Sequence, residues 1–369
     1  TPDSLKGGID YLASSYVKSA LSSMLNARYA EKALESDCPF LQAGCDDSEY
    51  LVSRTKDAFN INVVAKPGKM LEAYGAALRE AKRAKDFGFT ATEYLRFKDD
   101  FLSGLDKIYS NRDKMKNEQF TTQYVDNFIA NEPIPSVEDE YQIYKMMVPN
   151  LPVDVVNAYA KKLICETDTN FVTLVMMRDV EGGVYPTQEQ LANVVKQVRG
   201  EKLEAYVDNV KQEPLMAQLP KAGKIKKTTE NKQFGFKLLT LSNGAKVVLK
   251  KTDYKNDEVQ FVASALGGSS AFDKKDYREV KMMPSLMNAS GLGNFSNHDL
   301  EKALAGKIAS CGFSLSKYRH GLGGSSTPKD LETLMQLIYL NLTNISKDEK
   351  NVANLIATQA NALDNQSNN

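Results

Sequence analysis

The sequence predicts an α+β architecture, in which antiparallel strands and helices form separate layers. Strand-like stretches with a period of two are joined by hairpin signals, and stretches with helical periodicity follow them in blocks. This order differs from the repeated strand-helix-strand crossovers that indicate a parallel sheet. A length of 369 residues also favours two domains over one.

The first unit of the chain is predicted to begin with a buried helix. Its apolar side chains recur at helical spacing: Tyr11, Leu12, Val17, Leu21 and Leu25. The alternation from Phe59 to Ala65 predicts a half-buried strand. Thr90 and Glu93 have the spacing of a capping box, which predicts the start of a helix there.

A strand and a helix are predicted to close this unit. The apolar run from Phe171 to Met177, interrupted only by Thr173, is typical of a central strand. Thr187 and Gln190 then have capping-box spacing.

Periodicity fails between residues 206 and 236, which predicts an interdomain linker. A basic cluster lies within it: Lys221, Lys224, Lys226 and Lys227. Such a cluster could contact nucleic acid, but 47 basic side chains balance 47 acidic ones and no aromatic residues interleave with the lysines. A solvated linker is therefore favoured, and no nucleic-acid partner is expected.

After the linker the pattern returns to strands and then helices. Asn243-Gly244 predicts a hairpin turn, and Val259 to Leu266 the next strand. Thr327 is predicted as the N-cap of a helix with Pro328 at its first position. Ser346 and Glu349 predict the cap of a further helix.

Composition limits the environment without fixing it. No apolar run approaches the roughly 20 residues that span a bilayer, so a soluble chain without a membrane partner is expected. Because the sequence begins at Thr1 without a leader-like segment, either a leader was removed or a longer protein precedes it. An exported, periplasmic or cytoplasmic location stays open. So does the redox state of Cys38 and Cys45, which are interpreted as buried thiols but could bridge.

Several motifs resemble the pitrilysin/insulysin-like (M16) zinc metallopeptidases. Leu241 to Leu249 (LSNGAKVVL) resembles the family's L-x-N-G-[LA]-x-V-x-[LV] hairpin, and Gly88 to Lys98 (GFTATEYLRFK) resembles its G-[VF]-T-x-x-E-L-x-x-A-K helix start. Leu21 to Leu34 resembles a further family helix. The resemblance implies two LuxS/metallohydrolase-like (MPP-like) domains, each an antiparallel sheet packed on helices. Residues 1–205 would be a second family domain lacking its first strands, 206–236 the linker, and 237–369 a truncated third domain.

The family's chemistry requires H-x-x-E-H on a helix, because two histidines bind zinc and the glutamate activates the metal-bound water. Its counterpart lies near Met282 to Leu286, where Met282, Ser285 and Leu286 offer no such ligands. No catalytic, cofactor-binding or metal-binding residue is therefore assigned. His298 is interpreted as an exposed residue at a helix start, and His320 as a structural histidine. The resemblance places zinc in a missing N-terminal domain of a parent protein.

One glycine-rich stretch invites a different interpretation. Gly321 to Ser326 could bind phosphate before a helix, but it lacks the lysine and spacing of a Walker loop. A strand-to-helix turn is favoured there.

The resemblance implies a non-catalytic part of a zinc metalloendopeptidase that cuts peptides in an enclosed chamber. The chain would contribute chamber wall and bind peptide substrate along strand edges, with the remainder of the parent chain as its partner. It would be inactive alone. Two alternatives stay open: a non-enzymatic M16-like scaffold or regulatory subunit, and an unrelated peptide-binding module. An intact H-x-x-E-H about one domain upstream of Thr1 would distinguish a peptidase from a scaffold.

Overall fold

The computed structural model describes residues 6–50, 53–177 and 182–366. The helices are α1 (Ile9–Ala33), α2 (Met70–Phe87), α3 (Ala91–Ser110), α4 (Asn117–Ala130), α5 (Val137–Met147), α6 (Val153–Leu163), α7 (Gln188–Gly200), α8 (Tyr277–Asn288), α9 (Asn297–Ala303), α10 (Leu331–Thr343) and α11 (Glu349–Gln366). The strands are β1 (Phe40–Tyr50), β2 (Ser53–Ala65), β3 (Ile225–Asn231), β4 (Phe236–Leu241), β5 (Lys246–Leu249), β6 (Val259–Leu266), β7 (Gly291–Leu292), β8 (Ala309–Leu315), β9 (Arg319–Ser326) and β10 (Ile345–Ser346). The strands pair antiparallel, so the predicted α+β class is confirmed. No helix in these described ranges is long and apolar enough to cross a membrane.

The first unit, from α1 to α7, is organised around α1. Tyr16, Leu21, Leu25 and Tyr29 on this helix are each at most 1% exposed, and they pack into one core with α2, α3, α6 and the β1–β2 hairpin. Burying a large apolar side chain contributes about 2 kcal/mol, so this helix face contributes much of the unit's stability. The capping box of Thr90 and Glu93 is confirmed: the Thr90 hydroxyl accepts from the Glu93 N–H at 3.2 Å.

The run from Phe171 to Met177 is not a strand, so the central-strand prediction was wrong. Among the described residues, no backbone hydrogen bond joins this run to another segment. Val172, Leu174 and Met176 are exposed, Met176 by 89%. Its anchors are side chains, such as the 2.7 Å hydrogen bond between the hydroxyls of Thr173 and Tyr74. The sequence has strand character, but the described part of the chain presents no neighbouring strand to pair with it.

The second unit, from β3 to α11, contains two three-stranded sheets with the orders β3-β4-β5 and β6-β9-β8. The predicted hairpin at Asn243-Gly244 joins β4 and β5, and Gly244 has a φ of 87°, which glycine adopts without strain. The sheet β6-β9-β8 packs one face on α10. Leu322, Leu334 and Ile338 form the centre of that contact.

Two helix starts of the second unit lie later than predicted. Helix α10 begins at Leu331 with Asp330 as its N-cap, while Thr327 forms a preceding turn in which its hydroxyl accepts from the Asp330 N–H at 3.2 Å. Ser346 belongs to β10, and Asp348 instead accepts from the N–H of Asn351 in the first turn of α11. In each case an aspartate directly precedes the helix, where sequence spacing had indicated an earlier hydroxyl residue.

The segment between the units is irregular from residue 201 to 224. Strand β3 then occupies residues 225–231, within the stretch where sequence periodicity fails. Its side chains are almost all exposed, and such a strand carries no apolar alternation for sequence inspection to detect.

Candidate functional site

Helix α8 occupies the position where the sequence comparison placed the zinc motif. Met282, Met283 and Leu286 are half-buried, Ser285 is exposed, and Pro284 lies inside the helix. Thioether, hydroxyl and alkyl groups do not supply the imidazole and carboxylate donors that zinc prefers. In the described parts of the chain, no group of three or more His, Cys, Asp or Glu side chains is arranged to hold a metal ion.

The last residue of α8 performs a structural role at the edge of a sheet. The Asn288 side chain donates to the Phe313 carbonyl at 3.1 Å and accepts from the Phe313 N–H at 2.7 Å. Asn26 on α1 does the same for Cys45 on β1, at 3.0 and 2.6 Å. Each asparagine satisfies an edge-strand residue that no described strand pairs on its outer side, which protects that edge.

The two asparagines reveal an internal repeat. The order helix, strand, strand, helix runs as α1-β1-β2-α2 in the first unit. It recurs in the second as α8, β8, β9 and α10, with β7 and α9 inserted between α8 and β8. In the second unit β9 also pairs with β6 on its far side, whereas the described sheet of the first unit consists of β1 and β2. Sequence inspection missed this repeat, although Leu25-Asn26-Ala27 and Met287-Asn288-Ala289 carry a trace of it.

The outer edge of β6 is the candidate peptide-contacting surface. Phe261 and Ala263 point toward α10, and the alternate residues Val262 and Leu266 are 80% and 77% exposed. The other edge of β6 pairs with β9, so the outer edge presents backbone donors and acceptors that no described strand pairs. An extended peptide could add to such an edge through backbone hydrogen bonds.

The two histidines have structural contacts. The His298 side chain is only 15% exposed, so the prediction of an exposed residue was wrong. Its Nε2 lies 3.3 Å from Oε2 of Glu31, in an alignment that does not make a hydrogen bond. His320 on β9 is exposed, and its Nδ1 contacts the Gly267 carbonyl.

Glu31 is the centre of a charged cluster between the units. Tyr206 donates a hydrogen bond to Oε2 of Glu31, and Nζ of Lys302 lies 3.2 Å from the same atom. Burial opposes ionisation of Glu31, but the contacts with His298, Tyr206 and Lys302 outweigh it and lower the pKa to about 2. Nothing in the sequence spacing signals this cluster, because its members lie in three distant segments.

Asp208 belongs to the same cluster and connects it to Arg96 of the first unit. Burial opposes its ionisation as well, but Arg96, Thr92 and Lys302 hold the pKa of Asp208 at about 2. Arg96 binds both carboxylate oxygens, at 2.8 and 3.0 Å, and Nζ of Lys302 lies 3.3 Å from Oδ1.

The remaining sequence candidates have no ligand-binding geometry. Gly321 to Ser326 lie within β9, so neither the phosphate loop nor the favoured strand-to-helix turn is correct. Cys38 and Cys45 are buried free thiols and do not bridge. Burial raises the pKa of the Cys45 thiol to about 12, which makes it a poor nucleophile.

Comparison with known proteins identifies the relatives of this chain. No family model matches it. A zinc protease PQQL-like protein of Arabidopsis thaliana is 27% identical over 276 residues, 73% of this chain and 26% of the relative. The probable zinc protease PqqL of Escherichia coli is 22% identical over 345 residues, 94% of this chain and 37% of the relative. These relatives support the resemblance of the chain to the M16 zinc proteases.

A solved structure supports the fold of this chain. A mutant form of the ferredoxin protease FusC, in complex with Arabidopsis ferredoxin, matches 95% of the chain with a TM-score of 0.50 and 16% identity. The chain spans 39% of that structure. It also spans only 26% and 37% of the two curated relatives.

Proposed function

We propose that the chain is a non-catalytic part of an M16 zinc metalloendopeptidase, contributing chamber wall and contacts to an extended peptide substrate. The observation that carries this proposal is the size of its surface. The chain exposes 23,624 Å², whereas a monomeric protein of 40.9 kDa exposes about 15,000 Å². An exposed surface larger than that of a compact monomer is expected of a chain that packs against further protein.

The internal repeat supports the proposed division into domains. The first unit corresponds to a second M16-type domain over residues 1–205. The second unit corresponds to a third domain over residues 237–369, except that its strand β3 lies within the predicted linker of residues 206–236. Strand β2 lacks the neighbour that β6 gives to β9, and the run Phe171–Met177 lacks any strand partner among the described residues. Strands from the remainder of the parent chain would fill both positions.

The side chains of α8 support the assignment of zinc to another part of the parent protein. The repeat aligns Met282–Leu286 on α8 with Ala20–Met24 on α1, and neither segment contains His, Asp or Glu. The known relatives are named as zinc proteases, so the parent would bind zinc through residues outside this chain.

A peptide or protein substrate is the class that fits best. The outer edge of β6 offers backbone donors and acceptors, which recognise an extended chain without demanding a particular sequence. The ferredoxin complex of FusC concerns a protein bound by that relative, and it favours the same class here.

Zinc content and peptide hydrolysis test the proposal. The purified 369-residue chain is expected to contain no stoichiometric zinc and to leave a quenched fluorescent peptide intact. The full-length protein should contain one zinc and cleave the peptide. One zinc per 369-residue chain, or hydrolysis by that chain, would refute the proposal.

A full-length protein without zinc and without activity would instead support the non-enzymatic scaffold or regulatory subunit. The degenerate helix α8 is the observation that keeps this alternative open, since it fits both functions equally.

A further inference from the structure

The segment that forms the sheet β3-β4-β5 concentrates positive charge. The whole chain has 47 basic and 47 acidic side chains, so its charges balance. Within residues 217–252, however, nine lysines face a single acidic residue, Glu230, which gives this segment a net charge of +8 and leaves −8 on the rest of the chain. The lysines are Lys221, Lys224, Lys226, Lys227, Lys232, Lys237, Lys246, Lys250 and Lys251.

None of these lysines is neutralised within the part of the chain that the structure describes. All nine side chains are exposed. Their ammonium groups form no ion pair and donate no hydrogen bond among the described residues. Because like charges at this density repel one another, contact with a negatively charged partner would lower the electrostatic free energy of this surface.

Strand register places two of the lysines on one face of the sheet, next to apolar side chains. Lys227 on β3 and Lys246 on β5 both lie opposite Thr240 on β4, so these three side chains point to the same side. In the next row on that side, Leu238 lies opposite Val248, which is 58% exposed. Neighbouring strands are about 4.8 Å apart, so the two lysines are separated by roughly 10 Å at their Cα atoms. We call the surface of Lys227, Lys246, Leu238 and Val248 the basic face.

The chemistry of the basic face favours a polypeptide over a nucleic acid. All nine cations of the segment are lysines, which lack the planar guanidinium that binds a phosphate through two parallel hydrogen bonds. None of the four residues of the face is an aromatic on which a base could stack. An exposed apolar side chain with charges beside it is instead the arrangement of a protein–protein interface, which has an apolar centre and a polar rim.

The abundance of lysine also indicates a partner that binds and dissociates. Lysine is depleted in protein interfaces, and permanent interfaces are the more hydrophobic ones. A further domain of a longer parent protein would be packed permanently, so it fits this face less well than a separate protein does. Opposite charges would accelerate the encounter with such a separate partner.

We infer that the basic face docks a separate acidic polypeptide. The partner places aspartate or glutamate side chains against Lys227 and Lys246 and an apolar side chain against Val248. The other lysines of the segment attract the partner from a distance without having to touch it. Neither zinc nor peptide hydrolysis enters this inference, so it does not rest on the proposed part in a metalloendopeptidase.

Fluorescence anisotropy with the 369-residue chain and a labelled peptide of alternating glutamate and valine tests the docking. We expect saturable binding at about 0.01 M salt and much weaker binding at about 0.15 M, because the Debye length falls from about 30 Å to about 8 Å. A peptide of alternating lysine and valine should not bind at either salt concentration.

Two variants separate the charges from the apolar centre. Lys227→Glu/Lys246→Glu should weaken binding roughly tenfold or more, since like charges would then face the peptide. Val248→Ser should weaken it about threefold, because it removes apolar contact. Lys161→Glu/Lys162→Glu is the matched control: both lysines are exposed on α6 and have no described partner, so the same change in net charge should weaken binding far less.

Three outcomes would overturn the inference. The first is an acidic peptide that does not bind at about 0.01 M salt, where electrostatic attraction is least screened. The second is an equal loss of affinity in the basic-face variant and the α6 control. The third is tighter binding of single-stranded DNA or phosphatidylserine vesicles than of the acidic peptide, with no effect of Val248→Ser, which would identify a phosphate-bearing partner instead.

Discussion

Arg28 and Glu93 form a bidentate ion pair in the core of the first unit. The Nε and Nη2 atoms of Arg28 donate to the two carboxylate oxygens of Glu93 at 2.7 and 2.8 Å, and the side chains are 1% and 5% exposed. Nη2 also donates to the Gly88 carbonyl, and the guanidinium lies between the rings of Phe89 and Tyr206. The pair therefore joins α1, α3 and the segment between the units at one buried point.

Removal of one partner should destabilise the chain strongly. Arg28→Met leaves the Glu93 carboxylate buried without its cation, which costs about 3 to 5 kcal/mol. We expect the free energy of unfolding, measured in urea, to fall by this amount. The double variant Arg28→Met/Glu93→Leu should recover a large part of the loss, because no unpaired buried charge is left. A double variant as unstable as Arg28→Met would contradict this account.

The charged cluster between the units should make stability depend on pH in acid. The folded-state pKa of Glu31 is about 2, below its ordinary value of 4.5, so its contribution is complete above about pH 5 and is lost as the pH falls toward 2. Its side chain is 30% exposed, so the expected loss by pH 3 is roughly 1 to 2 kcal/mol. Urea unfolding at pH 7 and pH 3 should show a smaller difference for Glu31→Gln than for the unsubstituted chain. Equal differences in the two proteins would rule out the contribution of Glu31.

The edge-protecting asparagine of the first unit should also contribute to stability. Asn26→Ala leaves the N–H and carbonyl of Cys45 without the side chain that satisfies them in a half-buried site, which costs about 1 to 3 kcal/mol. Asn150→Ala is a suitable control, because Asn150 is exposed and donates to the Met146 carbonyl of its own turn. Equal unfolding midpoints for the two variants would show that water replaces the Asn26 side chain at no cost.

The sequence was sufficient for features that depend on neighbouring residues. The capping boxes at Thr90 and Thr187 and the turn at Asn243-Gly244 are all present, because each is decided by groups within three residues of one another. Strand β6 also has the predicted bounds, Val259–Leu266. The M16 resemblance rests on these same local motifs.

Features that depend on distant partners could not be predicted in this way. Phe171–Met177 has the composition of a strand, but strand formation requires a neighbouring strand, and its sequence does not reveal whether one is present. His298 was predicted to be exposed because its sequence neighbours do not show that it lies against Glu31. That residue is on a helix of the other unit. The charged cluster around Glu31 joins three segments, so no spacing within one segment indicates it.

Two glycines of β9 offer the sharpest test of the sheet geometry. A Cβ at Gly321 would lie 1.9 Å from the Ala263 carbonyl oxygen on β6, whereas a Cβ at Gly323 would meet no heavy atom of the described residues within 4 Å. Gly321→Ala must therefore push β6 and β9 apart or break their hydrogen bonds. An overpacked site of this kind costs about 1 to 3 kcal/mol.

Gly323→Ala adds the same methyl group to the same strand. A comparison of the two variants therefore cancels the effect of alanine on the unfolded chain. We expect its unfolding midpoint to stay close to that of the unsubstituted chain, while that of Gly321→Ala falls clearly. Hydrogen exchange at the amides of Val262 and Ala263 should accelerate only in Gly321→Ala. If the two variants were equally stable, the close approach of β6 and β9 at this register would be wrong, and with it the position of the outer β6 edge proposed to bind peptide.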